Sequence, residues 1–191
     1  MKILEERILK DGVVKPGGIL KVDNFLNHQI DPKLCYQMAE EIQRLFKDEK
    51  ITKILTIEAS GISIATMAGY VFDVPVVFAK KSMSANISEE VYSAQVFSFT
   101  KKTTMNVVVS KEYINPEDKI LIVDDFLATG SALECLCEIV AQGGADVVGA
   151  AIVVEKAFQP GGAKLRAKGM RIESLARVAS MSDDGLAFVE D

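Results

Sequence analysis

The sequence predicts an α/β fold, with a mostly parallel central sheet flanked by helices, formed as a single domain over residues 1–191. Three observations carry that prediction. Strand-like apolar runs alternate with helix-patterned segments over residues 53–79 and again over 119–156; strand, helix, strand in that order marks a right-handed parallel crossover. The apolar runs are continuous rather than alternating, as expected of parallel strands buried on both faces. A chain of 191 residues with 49% hydrophobic content can bury one sizeable core.

Taken in order, Ile3, Leu4, Ile8 and Leu9 recur at helical spacing before Gly12, which predicts a short helix with a glycine stop. GGILKV reads as a short strand. Asp31 followed by Pro32 starts a second helix, and Leu34, Met38, Ile42, Leu45 and Phe46 lay one apolar stripe along it towards Lys50. TKILTIE is the first core strand, Gly61 to Phe72 is helical, and PVVFAKK is the next strand. Residues 80–118 break this rhythm: KKSMSANISEE is polar, while VYSAQVFSFT and TTMNVVVS predict a two-stranded antiparallel ribbon. Alternation then resumes with KILIVDD as strand, ATGSALECLCEIVAQGG as helix with a glycine stop, and DVVGAAIVVEK as strand. The tail predicts a short helix in QPGGAKLRAKG and a final strand in RIESLARV.

Charge and cysteine usage narrow the function. A net charge of −5 with interspersed signs leaves no basic stripe for nucleic acid. The charged, amphipathic N-terminus is no signal peptide, and no apolar run approaches the roughly 20 residues needed to span a bilayer. Cys35, Cys135 and Cys137 form neither an even set nor a metal spacing, and the last two fall on different helix faces. They read as buried thiols of a cytoplasmic protein.

Ligands of open α/β sheets bind beyond the carboxyl ends of the strands, which directs attention to EASGIS, VDDFLATGS and VVEKAF. In the second of these, residues Ala128 to Ala132 carry little bulk, so backbone amides can approach an anion at a helix N-terminus, with Thr129 and Ser131 adding hydroxyls. Asp124 and Asp125 suit the hydroxyls of a sugar, or Mg²⁺ held through water. The implied ligand has a phosphate, a diol and a metal. Taken singly, Asp125 also reads as a turn initiator, Thr129 or Ser131 as a helix cap, and Gly130 as the bend. A Walker loop and a G-x-G-x-x-G fingerprint are both absent. The acids of a receiver domain would stand on early strands rather than past the chain's midpoint.

The stretch ILIVDDFLATGSA resembles the 5-phosphoribosyl 1-diphosphate (PRPP) signature of type I phosphoribosyltransferases, the purine/pyrimidine phosphoribosyltransferase family: an apolar strand, two acids and a T-G-[ST] phosphate loop. The likeness extends further, since EASGI stands where the family has its pyrophosphate loop and residues 80–112 where it has a flexible β-ribbon loop. GGILKVDNFLNHQIDP, SMSANISEEVYSAQVFSFTKK and VVEKAFQPGG bring the pattern nearest to bacterial members that use xanthine.

This resemblance implies a type I phosphoribosyltransferase fold with a small N-terminal hood over residues 1–35, and a purine-salvage transfer of phosphoribosyl from PRPP to N9 of xanthine. It implies Ala128, Thr129, Gly130, Ser131 and Ala132 for PRPP, Asp124 and Asp125 for catalysis, and Ala59, Ser60, Gly61 and Lys81 for pyrophosphate. Lys156 would donate to the 6-oxo group of the purine, which Leu20 and Asn27 would also contact. Mg²⁺ would arrive with PRPP, without direct side-chain ligands. The implied partners are PRPP, xanthine and a second copy of the chain, with no nucleic acid or membrane. Without the family, Leu20 reads as core, Asn27 as a turn residue and Lys156 as a solvated strand end. Phe126 is a weaker candidate for stacking on the purine or packing under the loop. His28, the only histidine, has no paired carboxylate nearby in sequence and is not expected to act. Lys80 and Lys81, with Lys101 and Lys102, bracket the expected mobile loop. Other purines, and a PRPP-sensing regulator, remain alternative readings; a regulator should carry a DNA-binding segment, whereas this chain opens directly on its hood-like region.

Overall fold

The computed structural model describes residues 1–81, 90–98, 103–182 and 185–190. Its centre is a six-stranded sheet built from β3 (Lys53–Ile57), β4 (Val76–Ala79), β7 (Lys119–Leu127), β8 (Asp146–Lys156), β9 (Ile172–Ser182) and β10 (Gly185–Phe188), in the order β10-β9-β8-β7-β3-β4. All neighbours are parallel except β10, which runs antiparallel to β9. Along β7 and β8 the side chains alternate between two apolar layers. Leu121, Val123, Ala151 and Val153 face one, and Ile120, Ile122, Ala150 and Ile152 face the other.

The first layer is closed by helices α1 (Lys2–Asp11), α2 (Pro32–Leu45) and α3 (Gly61–Phe72). Asp31 caps α2 by accepting from the Leu34 amide at 3.2 Å, Pro32 opens it, and Arg7 of α1 donates to the same carboxylate at 2.9 Å. The second layer is closed by α4 (Ser131–Gln142), by α5 (Pro160–Ala167) through Leu165, and by a ribbon of β5 (Val91–Ser98) and β6 (Thr103–Ser110). The ribbon strands pair antiparallel in unbroken register. Reciprocal backbone hydrogen bonds of 2.9 Å between Lys80 and Val108 join the ribbon to the end of β4. Residues 82–89 and 99–102, where the sequence places the tip of the flexible loop and Lys101 and Lys102, lie outside the described residues.

Besides the added edge strand β10, three elements differ from the sequence reading. The N-terminal strand is half of a hairpin, β1 (Val13–Lys15) against β2 (Ile19–Lys21), turned by Pro16, Gly17 and Gly18 with both glycines at positive φ. A π-helical turn over Asp23–Asn27 follows it, burying Phe25 and Leu26. Third, α2 stops at Leu45 rather than continuing to Lys50. Arg171 donates to the Leu45 carbonyl at 2.7 Å and stacks 4.4 Å from the Phe46 ring, so a cation from the segment entering β9 satisfies the last turn. Gly149 leaves the room that ring needs, since a Cβ there would lie 2.9 Å from it.

Phe46 is fully buried at this joint between α2, β8 and the segment entering β9. Phe46→Ala is expected to lower stability by about 3–5 kcal/mol, read as a fall in the denaturant midpoint at unchanged slope.

Candidate active site

Strand order reverses between β3 and β7. From β3 the chain crosses through α3 outward to β4, while from β7 it crosses through α4 the opposite way to β8 and then β9. The two loops leaving this switch point therefore diverge and open a crevice at the carboxyl edge of the sheet, where doubly wound sheets bind ligands. A cleft of about 620 Å³ lies there. Its floor is the end of β3 with Glu58, Ala59, Ser60 and Gly61, beside Asp124 and Asp125 on β7. Ala128, Thr129, Ser131 and Ala132 form one wall, with Lys156 and Gln159 behind them. Gly17, Gly18 and Ile19 of the hairpin cover another side, and Lys81, Val96 and Met105 bring in the base of the ribbon.

The buried run Ile120–Val123 carries the acids to the edge in extended conformation, so that consecutive carboxylates point to opposite faces. Asp124 is 7% exposed, and its Oδ1 accepts from the Asp125 amide at 3.0 Å. Burial pushes its pKa well above the usual carboxylate range, the charge and side-chain hydrogen bonding of Asp125 add to the effect, and the Asp125 amide and Lys81 oppose it. A Cβ on Gly61 would stand 2.9 Å from that carboxylate and against the Thr56 hydroxyl, so glycine there lets the β3 loop close over Asp124. The Thr56 hydroxyl is buried and lacks a hydrogen-bond partner in the structure.

After β7 the chain turns through Gly130, at φ +86°, into the N-terminus of α4. Thr129 and Ser131 hydroxyls lie 3.1 Å apart across this turn, beside a smaller hollow of about 130 Å³. The first amides of a helix have no partner four residues back and are free to meet an anion. Gly130 itself lines the small hollow rather than the main cleft, and a Cβ on it would point at Leu165 and Gly161 of α5, 3.0 and 3.2 Å away. Its requirement is therefore backbone conformation and close packing, beyond any contact with a ligand.

Lys156 closes β8. Its ammonium donates to the Gly18 carbonyl at 2.8 Å and lies 5.7 Å from the centre of the Phe126 ring, and burial lowers its pKa. Lys81 also lines the cleft, its amide donating to Glu58 at 2.6 Å.

The remaining sequence candidates fall outside the cleft. Leu20 is buried in the core behind the hairpin, because on a strand it faces opposite to Ile19; Ile19 is 49% exposed and reaches the cleft instead. Asn27, at the end of the π-helical turn, has a buried Oδ1 without a partner in the structure and lines neither cavity. His28 is exposed at the end of the same turn. Ile19, Gln159, Val96 and Met105 were not legible as site residues. The only local signal was P-G-G at 16–18, which marks a tight turn. Cys35 and Cys135 are buried and Cys137 half-buried, all away from the cleft, and burial pushes each thiol up to about 11.

An acid pair beside a hydroxyl-lined amide turn, at the switch point of a doubly wound sheet, defines a protein that binds a phosphorylated sugar. Comparison with known proteins makes the class specific: the phosphoribosyl transferase domain matches residues 21–170. Xanthine phosphoribosyltransferase of Limosilactobacillus reuteri is 51% identical over 191 residues, covering 100% of both chains. That of Finegoldia magna is 54% identical over 188 residues, covering 98% of this chain and 99% of its own. The chain belongs to the phosphoribosyltransferase family. Solved adenine phosphoribosyltransferases share the fold: that of Trypanosoma brucei at a TM-score of 0.77 and 17% identity, covering 95% of this chain and 82% of its own, and that of Thermoanaerobacter pseudethanolicus at 0.75 and 23%, covering 91% and 99%.

Because the folded state binds the Asp124 proton more tightly than the unfolded chain, its ionisation works against folding as pH rises above the unfolded value of about 4. Asp124→Asn is therefore expected to raise the melting temperature at neutral pH, with the gain vanishing near pH 3, where the acid is protonated in both states. Each kcal/mol gained should appear as roughly 2–4 °C. Calorimetry of both proteins across that range checks it.

Proposed function

We propose that this enzyme transfers the 5-phosphoribosyl group of PRPP to N9 of xanthine, giving xanthosine 5′-monophosphate and pyrophosphate. The observation that carries this reading is that one cleft holds Ala128, Thr129, Ser131 and Ala132 of the turn, the two acids and Lys156. Its support from relatives is a likeness of about half the residues over the full chain to proteins named for that activity.

Displacement at an anomeric carbon passes through an oxocarbenium-like state, so the protein's task is to hold the donor and acceptor in line while charge moves to the leaving group. The turn from Ala128 to Ala132 fixes the 5′-phosphate through its amides and the Thr129 and Ser131 hydroxyls. Asp124 and Asp125 take the ribose hydroxyls, their oxygens accepting the hydroxyl hydrogen bonds. Ala59, Ser60 and Gly61, with Lys81, receive the pyrophosphate as the C1–O bond breaks and N9 bonds to C1. Among the described residues no group of three or more His, Cys, Asp or Glu could cage a metal. Two adjacent carboxylates and a bound diphosphate fit Mg²⁺, which needs few protein ligands and keeps water. Bound with PRPP, that ion neutralises the leaving group.

Lys156 selects the base. An ammonium has three protons and one is given to Gly18, so it can also donate to a 6-oxo group, whereas the 6-amino group of adenine offers a donor in its place. Ile19 covers the purine from the hairpin and Leu20 anchors that hairpin in the core, while Asn27, its Oδ1 buried, lies outside the cleft. Residues 1–35 act as the hood of one domain. No helix of the described residues is long and apolar enough to cross a membrane, and the proposed compartment is the cytoplasm. Tyr36 on α2 and Tyr70 on α3 are exposed at 41% and 76%, an aromatic surface suited to a homodimer that light scattering would reveal.

Steady-state assays with PRPP, Mg²⁺ and each purine test the assignment. Xanthine should be turned over most efficiently, chelation should abolish the reaction, and faster turnover of adenine would overturn the reading. Lys156→Ala should lower kcat/KM for xanthine roughly 10- to 100-fold, the loss expected for one charge-assisted hydrogen bond.

A further inference from the structure

The phosphate turn is supported from behind by α5 rather than by its own strand. Gly161, the second residue of that helix, donates its amide to the Ala128 carbonyl at 3.1 Å. A Cβ on Gly161 would lie 2.5 Å from both the Gly130 nitrogen and the Thr129 carbonyl carbon, and would strike the Ala128 oxygen. The helix backbone therefore sits in van der Waals contact with three consecutive residues of the turn. Its placement sets the turn's shape.

Eight residues cannot hold such a placement by helix formation alone. Leu165 buries one side, but apolar contact tolerates sliding and rotation. Direction comes from Arg166, whose two terminal nitrogens donate to the two oxygens of Glu155 at 2.6 and 2.7 Å. Ser174 adds a donor to the same carboxylate at 2.6 Å, and Arg166 also reaches the Ile172 carbonyl at 3.2 Å. Gly162 has no side chain where a Cβ would collide with the Glu155 carboxylate, so the helix lies directly on it. Glu155 is 2% exposed. Burial alone would raise its pKa, but the hydrogen bonds from Arg166 and Ser174, and the charges of Arg166 and Arg177, hold the carboxyl below its usual range.

A buried ion pair is seldom the most stable choice, since apolar residues of similar volume do as well or better, while its geometry is directional. Resting on the phosphoribosyl-transfer reading above, we propose that Glu155 is a positioning residue for the donor's 5′-phosphate: paired with Arg166, it seats α5 so that Gly161 holds the Ala128–Gly130 turn in its anion-binding shape. Lys156, the next residue, points the other way into the cleft. One dipeptide of β8 thereby serves the phosphate through its glutamate and the base through its lysine.

Glu155→Gln keeps the volume but loses the charge and one acceptor oxygen. The expected result is a rise of at least 10-fold in KM for PRPP and a matching loss of affinity for ribose 5-phosphate, measured directly by calorimetric titration, with KM for the purine changed less than 2-fold. Lowered thermal stability with unchanged ribose 5-phosphate affinity and PRPP KM would make the pair merely structural and overturn the proposal. Should Glu155→Gln fail to fold, Gly161→Ala decides: it presses on the turn while leaving the ion pair in place, and wild-type ribose 5-phosphate affinity in that variant would overturn the proposal. Ribose 5-phosphate binding by the wild type without turnover of any purine would instead count against the enzymatic reading, and leave the positioning role standing.

Discussion

The site depends on one constraint: two ionisable acids must be delivered to the edge of a sheet whose central strands are otherwise entirely apolar. Ile120 to Val123 meet it by burying both faces of β7 between the helical layers, which leaves the next two residues no freedom to move. The strand-order reversal beside β7 then keeps helices away from its end and leaves a crevice rather than packed core. Without the crevice the carboxylates would be buried with nothing to bind; without the rigid strand they would be loop residues with variable spacing to the phosphate turn.

Rigidity has an electrostatic consequence. Asp124 is held in a place that disfavours its charge, and the Thr56 hydroxyl beside it is buried without a partner. Both are conditions a globular core ordinarily avoids. Gly61 brings the two together, since a Cβ there would meet both the Thr56 hydroxyl and the Asp124 carboxylate. Lys156 shows the milder form of this arrangement, since Gly18 and Phe126 occupy part of its bonding capacity while burial still disfavours its charge.

Much of this was legible in the sequence because it is encoded locally. The period of the apolar residues identified β3, β7 and β8 and their helices, and ILIVDDFLATGSA marked a stretch that lines the cleft, as each rests on contiguous residues. What escaped depends on contacts distant in sequence. The end of α2 is set by Arg171, more than a hundred residues away; β10 is a short edge strand whose existence depends on β9; and the π-helical turn is stabilised by burial of Phe25 and Leu26. Leu20 and Ile19 illustrate the sharpest limit. The side-chain period of a strand is two, so an error of one residue in register exchanges core for cleft, and a three-residue strand has too little pattern to fix it. Gly161 and Gly162 read only as part of a short helix after proline, although a Cβ on the first would strike the Ala128–Gly130 turn and one on the second the Glu155 carboxylate.

The layout also separates the two halves of the reaction physically. In the proposed reaction, donor contacts come from the ends of β3 and β7 and from the turn before α4, all fixed by the central sheet, whereas acceptor contacts come from one lysine and a hairpin packed against the sheet from outside. Changes in the hairpin or at Lys156 can therefore alter the base without disturbing the sugar phosphate site. The adenine phosphoribosyltransferases share this fold at about 20% identity, a topology that many sequences meet. Discrimination among purines instead rests on a few side chains around a carbonyl that either finds a donor or does not. Leaving a buried donor unpaired is among the costliest errors a site can contain, which is the physical ground for the role proposed for Lys156 towards 6-oxopurines.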